Sequence, residues 1–113
     1  YLPRVMGPRR SAQFYLLGET LDTQEAQRLG LVSHRVEAGQ LEAETAQLAA
    51  KLAAGPTAAF GRFKRLMASS LDRGLADQLA AEKEQFIAGS RTGDFREGIS
   101  AFLQKRPAKF EGC

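Results

Sequence analysis

The sequence predicts a mainly α-helical fold with a little α/β character at its front. Three observations predict it. Apolar residues recur at helical spacing from Leu41 to Leu103. Gly and Pro fall where helices start and stop, at Gly7-Pro8, Gly18, Gly30, Gly55-Pro56 and Pro107. Only one stretch, Leu31-Val32-Ser33-His34-Arg35-Val36, alternates in the manner of a strand.

Taken in order, Gly7-Pro8 opens a helix, because Pro at the first helical position lacks only an N–H that would be unpaired anyway. Ala12, Tyr15 and Leu16 form its apolar stripe, and Gly18 ends it as a left-handed cap. Asp22, with Glu25 three residues on, reads as a capping box for a short helix. Its inward residues are Ala26 and Leu29, and Gly30 stops it. The strand candidate follows, bounded by Gly39. Leu41, Ala46, Leu48, Ala49 and Leu52 then mark an amphipathic helix that Gly55-Pro56 interrupts, since a residue before proline is driven from helical geometry. The next helix carries Phe60, Phe63, Leu66, Met67 and Ser70 and tolerates Gly61 at about 1 kcal/mol relative to Ala. Asp72-Arg73-Gly74 separates it from a helix bearing Leu75, Leu79, Glu82 and Phe86. Thr92-Gly93-Asp94 is the last turn. Asp94 is its expected N-cap, Glu97 completes a box, and Ile99, Phe102 and Leu103 form the final apolar face.

A chain of 113 residues has room for one compact domain with a core of its own. Its 43% hydrophobic and 26% charged residues are globular values and exclude disorder throughout. No apolar run approaches the roughly 20 residues of a membrane helix, so no membrane partner is expected. The chain opens on Tyr1 rather than Met, as a processed, cut or excerpted product would. Cys113 is the only cysteine and has no internal partner, which fits a reducing, cytoplasmic setting. Sixteen Lys and Arg against 13 Asp and Glu leave a net charge of +3. These charges are interspersed, there is no Trp, and aromatic and basic residues do not interleave, so nucleic acid is excluded as a partner. A mildly basic surface suits a phosphorylated small ligand instead.

Little in the chain reads as catalytic machinery. His34 is the only histidine and no second ligand lies near it or Cys113, so no metal is expected. His34 shares its alternating face with Val32 and Val36 and reads as structural or surface-exposed. No serine sits in a Gly-flanked elbow, and no Gly-rich phosphate loop occurs. Glu82 and Glu84 are two apart on a helix and point in different directions, so they cannot converge on one atom. Basic residues cluster at Arg62, Lys64 and Arg65 and again at Lys105, Arg106 and Lys109. A lysine beside an aromatic can hold a phosphate and wall an adenine. Lys105 and Phe86 would form such a pair if the tail folded back on the helix that carries Phe86.

Four segments, in this order and spacing, closely resemble the carboxy-terminal part of the crotonase superfamily, the enoyl-CoA hydratases and isomerases. They are Leu2-Pro3-Arg4-Val5-Met6-Gly7, Leu16-Leu17-Gly18-Glu19, Ala26-Gln27-Arg28-Leu29-Gly30-Leu31-Val32, and Asp94-Phe95-Arg96-Glu97-Gly98-Ile99-Ser100-Ala101-Phe102-Leu103-Gln104-Lys105-Arg106. The resemblance implies that residues 1–53 end a ββα spiral core and residues 54–113 form a helical trimerisation domain. It implies an acyl-CoA thioester substrate, no cofactor beyond the coenzyme A of that substrate, and a homo-oligomer, a trimer or a dimer of trimers. Such enzymes polarise the thioester carbonyl with two backbone N–H groups and, in hydratases, use two glutamates on water and the α-proton. By the resemblance, those elements precede Leu2-Pro3-Arg4, so no catalytic residue is expected in this chain. The positions matching the coenzyme contacts are Lys105 and Phe86. Hydratase is the default activity, with isomerase or another reaction of the family as the alternative, or a non-catalytic assembly or CoA-binding module.

Overall fold

The computed structural model describes all 113 residues, Tyr1–Cys113. Seven α-helices follow one another: α1 (Leu2–Met6), α2 (Pro8–Leu17), α3 (Thr23–Arg28), α4 (Leu41–Ala53), α5 (Thr57–Ser69), α6 (Leu75–Ser90) and α7 (Gly93–Leu103). A 3-10 turn, Ser70–Asp72, ends α5. The chain holds no strand, which corrects the reading of Leu31 to Val36. A strand exists only when a neighbour takes up its N–H and C=O groups, and the chain offers this segment no second strand. Its first residues turn back on α3 instead: the amides of Leu31 and Val32 donate to Ala26 O at 2.9 and 3.4 Å. The alternation was real, but pairing, not alternation, makes a strand.

The chain divides into two compact units, Tyr1–Glu44 and Thr45–Cys113, with the division inside α4. The boundary at residue 53 implied by the resemblance falls at the other end of that helix. In the first unit α1, absent from the sequence expectation, forms with Pro3 in its first turn and packs on α2. Gly18 takes the expected left-handed cap, φ 61° and ψ 36°, with its amide donating to Phe14 O. Asp22 caps α3 by accepting the Glu25 amide at 2.8 Å. Only half of the box forms, because the Glu25 carboxylate turns to Arg28 and Arg10 instead. The hydrogen bond from Arg28, ahead of the other charges, holds the Glu25 carboxyl below its usual range.

In the second unit α5 packs on α6 and α6 on α7. Where α4 gives way to α5 the Phe60 ring lies close over Gly55: a Cβ there would come within 2.6 Å of the ring, which would have to shift. The unit does not close a core. Ala101, on α7, is the one buried apolar residue of the whole chain. Phe63 is 62% exposed, Leu75 77% and Phe102 83%. The expectation of one domain with its own core is therefore corrected. Each helix carries an apolar face, as its periodicity requires, but a single helical layer covers only one side of each.

Candidate functional site

The most elaborately bonded part of the chain is α7 with the segment that follows it. The N-cap of α7 is Thr92, not Asp94: Thr92 Oγ1 accepts the Phe95 amide at 3.2 Å and donates to Gly89 O at 2.7 Å. Asp94 lies inside the first turn and is only 6% exposed. Its carboxylate accepts two tail amides, Glu111 N–H on Oδ1 at 2.8 Å and Gly112 N–H on Oδ2 at 2.9 Å. Its own amide donates to Cys113 O at 3.0 Å. Glu97, one turn on, does not complete a box either. It accepts both guanidinium nitrogens of Arg106, at 2.6 and 2.8 Å, and the Lys109 amide at 2.8 Å. These bonds, Arg106 first, push the Glu97 carboxyl down to about 2.

Two acids read from sequence as a helix cap thus clamp the carboxy-terminal strap, residues 106–113, back along α7. Phe110 sits against Gly98, where a Cβ would meet the ring at 3.6 Å. Near the strap's end Gly112 has φ 83°, and a Cβ there would lie 2.6 Å from Thr57 Oγ1. A signal for the clamp exists in the sequence, in that Pro107 bars helix beyond the stop and the aromatic Phe110 and Gly112 follow it. Nothing local says which carboxylates would receive the returning amides.

Lys105 occupies a special position in this hairpin. Gln104 is the C-cap of α7. Lys105 follows with φ 53°, the only non-glycine residue of the chain with positive φ. Its amide donates to Phe102 O at 3.2 Å and that of Arg106 to Ala101 O at 3.0 Å. These are the paired bonds of a left-handed helix stop, a place usually filled by glycine. The Lys105 side chain is exposed.

Phe86 lies on α6, 67% exposed, with its ring edge-on to Phe95 at a centroid distance of 6.0 Å. It lines an apolar groove of about 940 Å³ over α5, α6 and α7, together with Phe63, Leu66, Leu79, Ile99 and Phe110. Lys105 is not among the residues lining that groove. The strap returns along α7 rather than onto α6, so the structure places Lys105 and Phe86 in the same unit without joining them in one cavity. Of the basic residues on α5, Arg62 faces the groove and its Nε is buried without a partner, while Lys64 and Arg65 are exposed.

No convergent acid–base pair accompanies these features. Glu82 accepts from Gln78 Nε2 at 2.8 Å, one turn away on α6. The hydroxyls of Ser11, Ser69, Ser70 and Ser90 donate to carbonyls of their own helices or caps. His34 and Cys113 are exposed, and no three His, Cys, Asp or Glu side chains gather as a metal site. No helix is long and apolar enough to cross a membrane. The arrangement can seat apolar surface in the groove and offer an exposed ammonium to an anion.

With its open apolar faces and clamped basic tail, the chain falls in the class of all-helical proteins. Comparison with known proteins gives that class a family. The chain belongs to the enoyl-CoA hydratase/isomerase family, whose model matches residues 1–113. It is 39% identical over 112 residues to the 2,3-dehydroadipyl-CoA hydratase of Escherichia coli K12, covering 98% of this chain and 44% of the relative. It is 37% identical over 111 residues to the 1,2-epoxyphenylacetyl-CoA isomerase of the same organism, covering 98% and 42%. The crystal structure of an enoyl-CoA hydratase from Bacillus anthracis superposes with a TM-score of 0.90 at 29% identity, over 99% of this chain and 43% of that one. The chain spans less than half the length of these relatives.

Proposed function

We propose that this chain is the carboxy-terminal portion of an acyl-CoA-processing enzyme, by default an enoyl-CoA hydratase that reversibly hydrates a 2-enoyl-CoA. In this reading residues 1–53 end the spiral core, and residues 54–113 drive assembly into a trimer or a dimer of trimers. The oxyanion donors and acid–base glutamates belong to the part of the relatives that the chain does not span. Lys105 receives the ribose phosphate of coenzyme A and Phe86 packs against its adenosine end.

The observation that carries the coenzyme reading is the conformation of Lys105. A side chain at φ 53° costs about 1 kcal/mol or more that glycine would not. Retaining it there is a reason to look for a function of the ammonium. Assembly is supported by the open helix faces, on which Phe63, Met67, Leu79 and Leu103 are all more than half exposed. The names of the relatives, a hydratase and an isomerase at similar identity, support the substrate class more than the reaction subtype.

The test is Lys105→Ala in the full-length enzyme. Binding of an acyl-CoA should weaken several-fold, as expected for an exposed pair worth roughly 1 kcal/mol, and less so as salt rises. Binding of the matching pantetheine thioester, which has no phosphate at that end, should stay the same. Equal losses for both ligands would remove Lys105 from the site. The chain of 113 residues by itself should show no turnover of crotonyl-CoA; loss of the enoyl absorbance above background, with contaminating enzyme excluded, would overturn the placement of the catalytic groups.

A second reading, a non-catalytic assembly or coenzyme-binding module, is favoured by the lack of any convergent acid–base pair. Activity of the natural full-length product separates the two.

A further inference from the structure

The geometry around Lys105 points to Glu97 and Arg106 as positioning residues: their fork-to-fork pair holds the helix stop in the one backbone conformation that presents the Lys105 ammonium to a phosphate. This rests on the proposed role of Lys105 and adds the residues that make the role possible.

Lys105 is bracketed on both sides. Before it, Gln104 Nε2 donates to Ser100 Oγ at 3.1 Å. After it, Arg106 donates through Nη1 and Nη2 to the two oxygens of Glu97, at 2.6 and 2.8 Å. The two flanking side chains are also joined to each other across Lys105, since Arg106 Nε donates to Gln104 Oε1 at 2.8 Å. Glu97 is bonded again by the Lys109 amide at 2.8 Å, which fixes the strap on its far side. A lysine would leave the left-handed region readily if its neighbours were free, because that region is unfavourable for any residue with a Cβ. Here its neighbours are not free. The two ends of the peptide unit are tied to α7, while the lysine's own ammonium has no partner in the chain. A fixed backbone narrows the space that an unpaired ammonium at its apex can sweep, and that reduces the ordering cost on binding. Arg suits the clamp because its planar fork matches a carboxylate, which the point charge of a lysine does not.

The experiment compares coenzyme A with dephospho-coenzyme A, which lacks only the ribose phosphate, as ligands of the full-length enzyme. The ratio of their affinities reads the phosphate contact and is insensitive to a general loss of fold. Lys105→Ala should reduce the ratio several-fold. Glu97→Gln, which keeps an acceptor for the Lys109 amide but removes the charge, should reduce it about threefold, as should Arg106→Lys. Combining Glu97→Gln with Lys105→Ala should reduce it no further than Lys105→Ala alone, since a positioning residue acts only through the residue it positions. If Lys105→Ala lowers the ratio and neither Glu97→Gln nor Arg106→Lys does, the positioning role is overturned and the role of Lys105 stands. If the double variant loses more than Lys105→Ala, Glu97 acts elsewhere and the positioning role is likewise overturned. If Lys105→Ala leaves the ratio unchanged, both readings fall. Should Glu97→Gln not fold, Arg106→Lys alone decides by the same criteria.

Discussion

Replacing Lys105 with glycine should make the end of α7 more stable and the coenzyme contact weaker, two effects of opposite sign from one substitution. Backbone strain at Lys105 sets the first. A left-handed residue with a Cβ costs about 1–2 kcal/mol, and glycine removes that cost. Glycine also gains more freedom in the opened state, which returns roughly 0.5–1 kcal/mol. The net gain is about 1 kcal/mol, a factor of about five in the local opening equilibrium. It is best read at the amide that closes the stop, Arg106 N–H to Ala101 O at 3.0 Å, by native-state hydrogen exchange. Protection of that amide should rise about fivefold in Lys105→Gly. Lys105→Ala is the control, because alanine keeps the Cβ and so the strain while losing the ammonium. Its protection should match that of the parent. Both variants should bind acyl-CoA more weakly. A Lys105→Gly variant whose Arg106 amide exchanges as fast as the parent's, or faster, would refute the claim that Lys105 is held against its preference. The inference that the lysine is kept for its charge would then lose its footing.

Two further outcomes follow from the same structure. The Glu97 carboxyl is depressed to about 2 from an ordinary 4.5, so its contribution to the strap is complete above pH 4.5 and is lost as pH falls from there toward 2. Exchange at the Lys109 amide, which Glu97 accepts, should accelerate across that window beyond the intrinsic trend; acceleration confined to neutral or alkaline pH would contradict the assignment. The chain of 113 residues should also self-associate, because Phe63, Leu75, Leu79, Phe102 and Leu103 present more apolar surface than one helical layer buries. Sedimentation over a concentration range checks this, and a folded species that stays monomeric at high concentration would count against it.

Where the sequence was legible, the signal was local. The proline at the start of α2, the left-handed Gly18, the Asp22 cap and the Gly55-Pro56 break all act within one turn of their own position, and each stands where its chemistry places it. Where it misled, the deciding partner was distant or missing. The alternation from Leu31 to Val36 meets no second strand, so it stays irregular. Chain length left room for a core, and the apolar stripes tell which face of each helix seeks burial, but periodicity says nothing of what will cover it.

Asp94 and Glu97 show the same limit within a single helix. Both sit three residues apart at an N-terminal end, the pattern of a capping box, and a carboxylate there is favoured whichever donors it finds. Thr92 already takes the Phe95 amide. The carboxylates were therefore available to amides 12 to 18 residues further along, at Lys109, Glu111 and Gly112. A spacing rule registers the acids and cannot see the returning chain. Lys105 sits at the turn between them and is the residue whose backbone that return constrains. The motif that read as a helix start and a basic tail is thus one closed hairpin, and at its apex stands Lys105, the residue proposed for the coenzyme contact.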